Sequence, residues 1–289
     1  MNGQSNMKIV KLSGGLGNQM FQYAFGQALK NAGDEVLYDA GWFEAVNKSK
    51  NSRATKRNYE LGVFMADINL ATPKQISLCS NKKFCGISLP AFLKRLVSRV
   101  VKEKCSSSFY KEFFSIKGDA YFAGVFANDA YFYDLRPELI KAFMLKDKMS
   151  DANMALLDDI KKTQSVSIHI RRGDFVKYGL VCNLDYYYRA VSYINSKVKN
   201  AHFYIFSDDV KWAKENLKID NPHTFVDIND GSAGYCDLEL MKNCRHNIAA
   251  NSTFSWWAGY LNQNPDKIVL APKDKADDCF RILFKGGYN

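Results

Sequence analysis

From about residue 160 onward, each apolar run of strand length ends in a short polar cluster and then gives way to a helical pattern. Ser165–Ile170 runs into Arg171-Arg172-Gly173-Asp174, with a helix expected over Asp185–Val198. His202–Phe206 ends in Ser207-Asp208-Asp209 before a helix reaching Leu217. Thr224–Val226 leads to a helix over Tyr235–Asn243, and His246–Ala250 ends in Asn251-Ser252-Thr253 before Phe254–Leu261. Lys267–Ala271 closes the series. Strands that alternate with helices admit few topologies, of which a parallel sheet with right-handed crossovers is the general solution. The expected fold class is therefore α/β.

The N-terminal part opens in the same way. Met7–Leu12 reads as a strand and Ser13-Gly14-Gly15-Leu16-Gly17-Asn18 as a tight turn. A helix follows, with Met20, Phe21, Ala24, Phe25, Ala28 and Leu29 on one face. Gly33 is its expected stop and Glu35–Tyr38 a second strand. A chain of 289 residues holds two such units, and the expected domains are 7–155 and 156–289. Residues 40–150 carry a weaker pattern: a basic stretch, the serines Ser106–Ser108 and the aromatic segment Tyr121–Phe126. Asp151–Lys162 reads as a helix leading into the second half.

Hydrophobic residues at 47% and charged residues at 24% match a soluble globular protein. Met1–Asn6 is polar and lacks the apolar core of a signal peptide, and no run approaches the ~20 apolar residues of a membrane span. A cytoplasmic, bacterial protein is expected. The seven cysteines are odd in number and never spaced CxxC, and the four histidines lie far apart. Neither a disulfide framework nor a zinc site follows.

The net charge is +10, and its densest source is the segment Lys82–Lys104. There Leu93, Leu96, Val97, Val100 and Val101 recur at helical spacing, so a basic amphipathic helix is expected. Packing of its apolar side on the domain is the favoured reading; peripheral contact with an anionic membrane surface, next to a lipid-linked acceptor, is the alternative. No motif of a nucleic-acid-binding module accompanies the charge.

Open parallel sheets bind ligands beyond the carboxyl ends of their strands. Two adjacent arginines straight after a buried strand, hydroxyls at a helix start and carboxylates after a third strand suit a nucleoside diphosphate. For Arg171 and Arg172 an interdomain salt bridge stands beside phosphate binding. Ser252 and Thr253 read equally as a helix N-cap, which is compatible with anion binding. Asp208 or Asp209 could cap the helix that follows, and His169 could be a hydrogen-bonded structural histidine. The Gly14–Gln19 loop lacks the Gly-Lys-Ser/Thr ending of a P-loop and has Met20 where a dinucleotide fingerprint needs its third glycine. It reads as a tight turn, or as backbone offered to a ligand. No Asp-x-Asp occurs in the sequence, so cation-bridged diphosphate binding has no obvious carboxylate pair.

Four segments in order, Ser13–Gln22, His169–Asp174, Phe206–Asp209 and Asn251–Trp257, resemble the motifs of the α-1,2-fucosyltransferase family, glycosyltransferase family 11. The resemblance spans residues 8 to about 271. It implies a GT-B-like fold, two Rossmann-like domains with parallel sheets facing across a cleft. It further implies metal-independent, inverting transfer of fucose from GDP-β-L-fucose to the 2-hydroxyl of a galactose-terminated glycan, with no cofactor. On the matching positions, Arg171 would contact the β-phosphate with Arg172 in support, and His169 and Asp174 would shape the nucleotide and sugar site. Asp174 is the candidate base. Ser252 and Thr253 would hold the diphosphate, and Asp208, Asp209 and Asp237 would lie near ribose or guanine. Gly14, Gly15, Gly17, Asn18 and Gln19 would face fucose and acceptor. The family often has a Gly-Tyr-Trp-Gln-Ser-like stretch where this chain has Gly124-Val-Phe-Ala-Asn128, which points to a different acceptor preference. The competing readings are another GDP-fucose transferase, forming an α-1,6 or protein O-linkage, and a non-catalytic nucleotide-binding module.

Overall fold

A computed structural model describes residues 6–49, 55–80, 100–273 and 280–283. The chain divides into two compact units, Met1–Lys146 and Asp147–Asn289. The helix Asp151–Lys162, which contains the expected 155/156 junction, lies whole in the second unit.

In the first unit, strands β1 (Met7–Lys11), β2 (Glu35–Asp39), β3 (Val100–Lys102) and β4 (Ala120–Ala123) form a sheet ordered β2-β1-β4-β3. Every pairing is parallel. The helices are α1 (Leu16–Asn31), α2 (Gly41–Lys48), α3 (Pro73–Ser80) and α4 (Arg136–Ala142). All six apolar residues of the α1 face named above are buried. Phe25 stacks on Phe126 at 4.0 Å and meets Phe122 and Tyr131 edge-on, so much of the aromatic content here fills the core. Gln22 is wholly buried on the same helix. It accepts the Ser13 N–H (2.8 Å) and donates to Ser13 Oγ (3.2 Å) and to the Gly124 carbonyl (2.9 Å), tying the carboxyl ends of β1 and β4 together.

Val100 and Val101 belong to strand β3 instead of ending a helix, because pairing with β4 satisfies their backbone. Residues 82–99, the body of the expected basic helix, lie outside the described residues, as do Cys85 and Cys279. Among the described residues the cysteines are free, and no helix is long and apolar enough to cross a membrane.

The second unit carries helices α5 (Asp151–Lys162), α6 (Gly173–Tyr178), α7 (Leu184–Lys197), α8 (Val210–Asn216), α9 (Gly234–Lys242) and α10 (Thr253–Leu261). Its strands are β5 (Gln164–Ile170), β6 (Ala201–Ser207), β7 (His223–Phe225), β8 (His246–Ile248), β9 (Val269–Pro272) and β10 (Phe280–Leu283). The order is β7-β6-β5-β8-β9-β10, parallel throughout except for β10, which runs antiparallel to β9. Ser165–Ile170 are all buried, as expected of a parallel strand covered on both faces. One cluster joins Val166, Ile168 and Ile170 of β5 to Tyr187, Ala190 and Ile194 of α7.

The elements expected in this second unit are present, with ends shifted by at most two residues. β8 stops at Ile248 because the backbone of Ala250 turns onto the Ser255 hydroxyl, which accepts its N–H (3.1 Å) and donates to its carbonyl (3.4 Å). Helix α6 was not anticipated: fewer than two turns cannot display a readable apolar period.

Asn247 of β8 is 1% exposed and fully satisfied. It donates to Ser167 Oγ and the Met241 carbonyl and accepts from Asn262 Nδ2, each at 2.8 Å. Asn247→Leu strands those buried groups, and the expected loss is about 2–4 kcal/mol of unfolding free energy. Denaturant titration followed by circular dichroism measures it.

Candidate functional site

The strand order of the second unit decides where its polar clusters meet. Connections from β5 lead through β6 to β7 on one side and then return to β8 on the other. The gap beyond the carboxyl ends of β5 and β8 is therefore the topological switch point, where open α/β sheets take ligands. Ile170 ends β5, which puts Arg171 and Arg172 on one bank. Ile248 ends β8, and the turn into α10 forms the other bank. The third cluster joins them because Ile170 is in register with Ser207 of β6.

Carboxylates hold both arginines. Arg171 reaches Asp174 Oδ1 with one terminal nitrogen (2.6 Å) and Asp208 Oδ2 with the other (2.7 Å). Asp208 Oδ1 meanwhile accepts the backbone N–H of Arg172 at 2.8 Å. Arg172 lies over the Trp212 ring at 3.6 Å, its Nε 3.4 Å from Asp209 Oδ2. A guanidinium gripped at both ends keeps one orientation and loses less entropy when an anion arrives. Glycine at 173 is what permits the grip: a Cβ there would stand 2.5 Å from Asp208 Oδ2. Ion pairing of the arginines thus arises from Asp174 at the same strand's exit and from Asp208 and Asp209 at the strand end next door, inside the second unit.

His169 is 5% exposed and its ring lies 5.4 Å from that of Phe254. Burial, with a smaller contribution from the Arg171 charge, lowers its pKa to about 3, so the imidazole is neutral in ordinary buffer. Nδ1 of His169 and Nε of Arg172 are buried without a hydrogen bond. Native proteins pair the great majority of buried polar atoms. Arg172 Nε keeps its ion pair with Asp209, so it is the unmatched His169 Nδ1 that marks this edge as built for more than stability.

Ser252 caps α10, accepting the Phe254 N–H (3.3 Å), and Thr253 is the first helical residue. The positive end of this helix faces the switch point. Asp209 caps α8, accepting the Trp212 N–H (3.1 Å), so it serves as both cap and arginine partner. Asp237 lies on the first turn of α9. It accepts from Asn229 Nδ2 (2.8 Å), and Asn229 is paired with Asn153 through both amides. Burial raises the Asp237 pKa to about 6, partly offset by the Asn229 bond.

In the first unit, Gly14 has φ +78° and a Cβ there would be 2.7 Å from Asn18 Nδ2, so the turn requires glycine. Gly15 is the N-cap of α1, while Gly17 and Gln19 are buried in that helix. Gln19 donates to the carbonyls of Gly14 (3.1 Å) and Asn58 (2.9 Å) and accepts the Glu60 N–H (2.9 Å). Its role is to pin the loop to segment 58–60. That brings Arg57 to 3.9 Å from where a Gly15 side chain would start, and leaves Glu60, its pKa raised by burial, on the same loop.

Sequence reasoning missed Arg57 and Glu60, which no local pattern connects to Gly15. It also missed Tyr186 and Tyr187, whose buried hydroxyls donate to the carbonyls of Ala249 (2.6 Å) and His169 (3.0 Å) on the two banks. The run Tyr186-Tyr-Tyr188 was the available signal.

The model of glycosyl transferase family 11 matches residues 7–286. An α-1,2-colitosyltransferase of Escherichia coli is 33% identical over 284 residues, covering 91% of this chain and 90% of that protein. A galactoside 2-α-L-fucosyltransferase of Mus musculus, Sec1, is 27% identical over 177 residues, 57% of this chain and 48% of its own. The solved structure of the NodZ α-1,6-fucosyltransferase soaked with GDP-fucose covers 96% of this chain and 99% of that one, with a TM-score of 0.46 and 12% identity. The chain belongs to glycosyltransferase family 11 and is a glycosyltransferase.

The depressed pKa of His169 has a testable sign. The unfolded chain binds a proton near the ordinary histidine pKa of ~6.5, while the folded state refuses it until about 3. Stability is therefore lost as pH falls below ~6.5. Between pH 7 and pH 4.5 the natural protein should lose on the order of 1–3 kcal/mol more than His169→Gln, as read by denaturant melts at both pH values.

Proposed function

We propose that this enzyme transfers L-fucose from GDP-β-L-fucose to the 2-hydroxyl of a terminal β-galactoside, with inversion and without a metal ion. The observation that carries the reading is the Arg171 guanidinium held by Asp174 and Asp208 at the β5/β8 switch point. The relatives named above support the α-1,2 linkage, and one is named for its galactoside acceptor.

As the sugar–phosphate bond breaks, positive charge grows on the fucose ring and negative charge on GDP. Arg171, supported by Arg172 and by the α10 N-terminus at Ser252 and Thr253, stabilises the departing diphosphate. Neutral His169 lines the same bank without adding charge. Asp237 accepts from guanine N–H groups or ribose. The acceptor hydroxyl attacks the opposite face of the ring and sheds its proton late. Asp174 is engaged by Arg171 at 2.6 Å, which favours a clamping role for it over that of base. Asp208 and Asp209 likewise act through the arginines. The Gly14–Gln19 loop serves fucose and acceptor from the first unit. We place the reaction in the cytoplasm, with the segment 82–104 as the candidate for membrane contact.

A second reading is transfer of a colitosyl group, favoured by the relative that is 33% identical along most of the chain. Donor competition between the fucosyl and colitosyl nucleotides separates the two.

The test is incubation with GDP-fucose, EDTA and a panel of β-galactosides, with linkage analysis of the product. An α-1,2-fucoside formed in the chelator is expected. Arg171→Ala should lower kcat about 10²–10³-fold, ~2.7–4 kcal/mol of barrier. Arg171→Lys should not restore it, since a point charge cannot replace the fork. Turnover that needs added magnesium or manganese, or near-normal kcat in Arg171→Ala, removes the proposal. Fucose on a 6-hydroxyl or a protein side chain, or GDP binding without transfer, would favour the competing readings.

A further inference from the structure

The carboxyl edge of the first unit has its own irregularity. β3 and β4 end side by side, Lys102 in register with Ala123, so Glu103 and Gly124 leave the sheet together. Glu103 folds back over the turn: its Oε2 accepts the backbone N–H groups of Val125 (2.8 Å) and Phe126 (2.9 Å). A Cβ at Gly124 would stand 2.6 Å from both Glu103 Oε2 and Glu103 Cβ, so only glycine lets the carboxylate in. Phe126 has φ +58°, a conformation that a bulky residue adopts at a cost on the order of 1 kcal/mol. Its ring is fully buried against Phe25.

Bracing a turn does not by itself call for a carboxylate. Two backbone N–H groups could be met by an amide or hydroxyl oxygen with no charge to desolvate. Here Oε1 is buried without any hydrogen bond, and burial raises the pKa of the group despite the two N–H bonds. The position explains the expense. In the order β2-β1-β4-β3 the carboxyl ends of β1 and β4 stand side by side, and open α/β sheets take ligands beyond such ends. The Gly124 carbonyl on one side of that gap is bound by Gln22, which also holds Ser13 at the start of the Gly-rich loop on the other. Ser13, Gly124 and the turn held by Glu103 thus form one connected rim.

We propose that Glu103 is a positioning residue for the acceptor: it sets the Gly124–Phe126 turn that, with the Gly-rich loop, receives the hydroxyl-bearing sugar beyond the carboxyl ends of β1 and β4. The inference rests on the transferase reading above. Oε1 is too enclosed to reach a sugar hydroxyl, so Glu103 acts through the turn and does not touch the reacting atoms.

The experiment combines initial-rate kinetics with acceptor binding, the latter followed by saturation-transfer NMR with a β-galactoside and no donor. Glu103→Leu should raise the acceptor KM about tenfold or more while the KM for GDP-fucose stays within about twofold. Glu103→Gln offers both N–H groups an oxygen and should recover acceptor affinity to within about threefold. Gly124→Ala displaces the carboxylate from the opposite side and should reproduce the acceptor KM of Glu103→Leu, which keeps the test decisive if Glu103→Leu does not fold. Unchanged acceptor KM in folded Glu103→Leu or in Gly124→Ala overturns the inference. So does a hundredfold loss of kcat in Glu103→Gln, which would make the carboxylate a base, or equal rises in donor and acceptor KM. If the natural protein binds the galactoside, Gly124→Ala weakens that binding and yet no fucose is transferred, the transferase reading fails and the positioning role stands.

Discussion

One carboxylate, that of Asp208, joins the ends of β5 and β6 and with them the arginine bank of the second unit's candidate site. One oxygen takes the backbone N–H of Arg172 and the other the Arg171 guanidinium, so Asp208 fixes both where the chain leaves β5 and which way the first arginine points. Adjacent arginines repel one another and, unheld, would spread into solvent. Opposed by Asp174, Asp208 and Asp209, with Trp212 beneath Arg172, they stay at the switch point in one arrangement. Two guanidinium groups against three carboxylates leave the cluster with no formal positive excess. An incoming diphosphate must then rely on guanidinium N–H groups not spent on aspartate and on the helix N-terminus at Ser252, which makes orientation matter more than bulk charge.

The same edge holds groups that do nothing evident for stability. A neutral buried histidine whose Nδ1 has no hydrogen bond and, in the first unit, a glutamate oxygen in the same state are each costly when buried. Both stand at carboxyl ends of strands. At Asn247, by contrast, every side-chain donor and acceptor is matched. Folded proteins break local rules at functional sites and offset the loss in the core, and the unmet groups at these two strand ends follow that pattern.

The two units solve one structural problem by different means. Each must hold together the carboxyl ends of two neighbouring strands that are not consecutive in the chain. In the first unit a single buried glutamine, Gln22, spans the gap. In the second, the hydroxyls of Tyr186 and Tyr187 reach the carbonyls on either bank from a helix behind the sheet. Both devices leave the space in front of the strand ends to a ligand.

The sequence by itself determined the alternation of strand and helix, the parallel sense of the sheets apart from β10, and the placement of Arg171, Asp208 and Ser252 just beyond strand ends. Those features are local: apolar period, glycine, and polar residues at caps act over a few residues. Strand order was decided only in the tertiary structure, and with it the meeting of β5 with β8, the capture of Arg172 by an aspartate 36 residues away, and the grip of Glu103 on a turn 22 and 23 residues further on. No periodicity encodes such partners. They are chosen when the whole chain closes, because a buried carboxylate must find its N–H groups wherever packing has brought them.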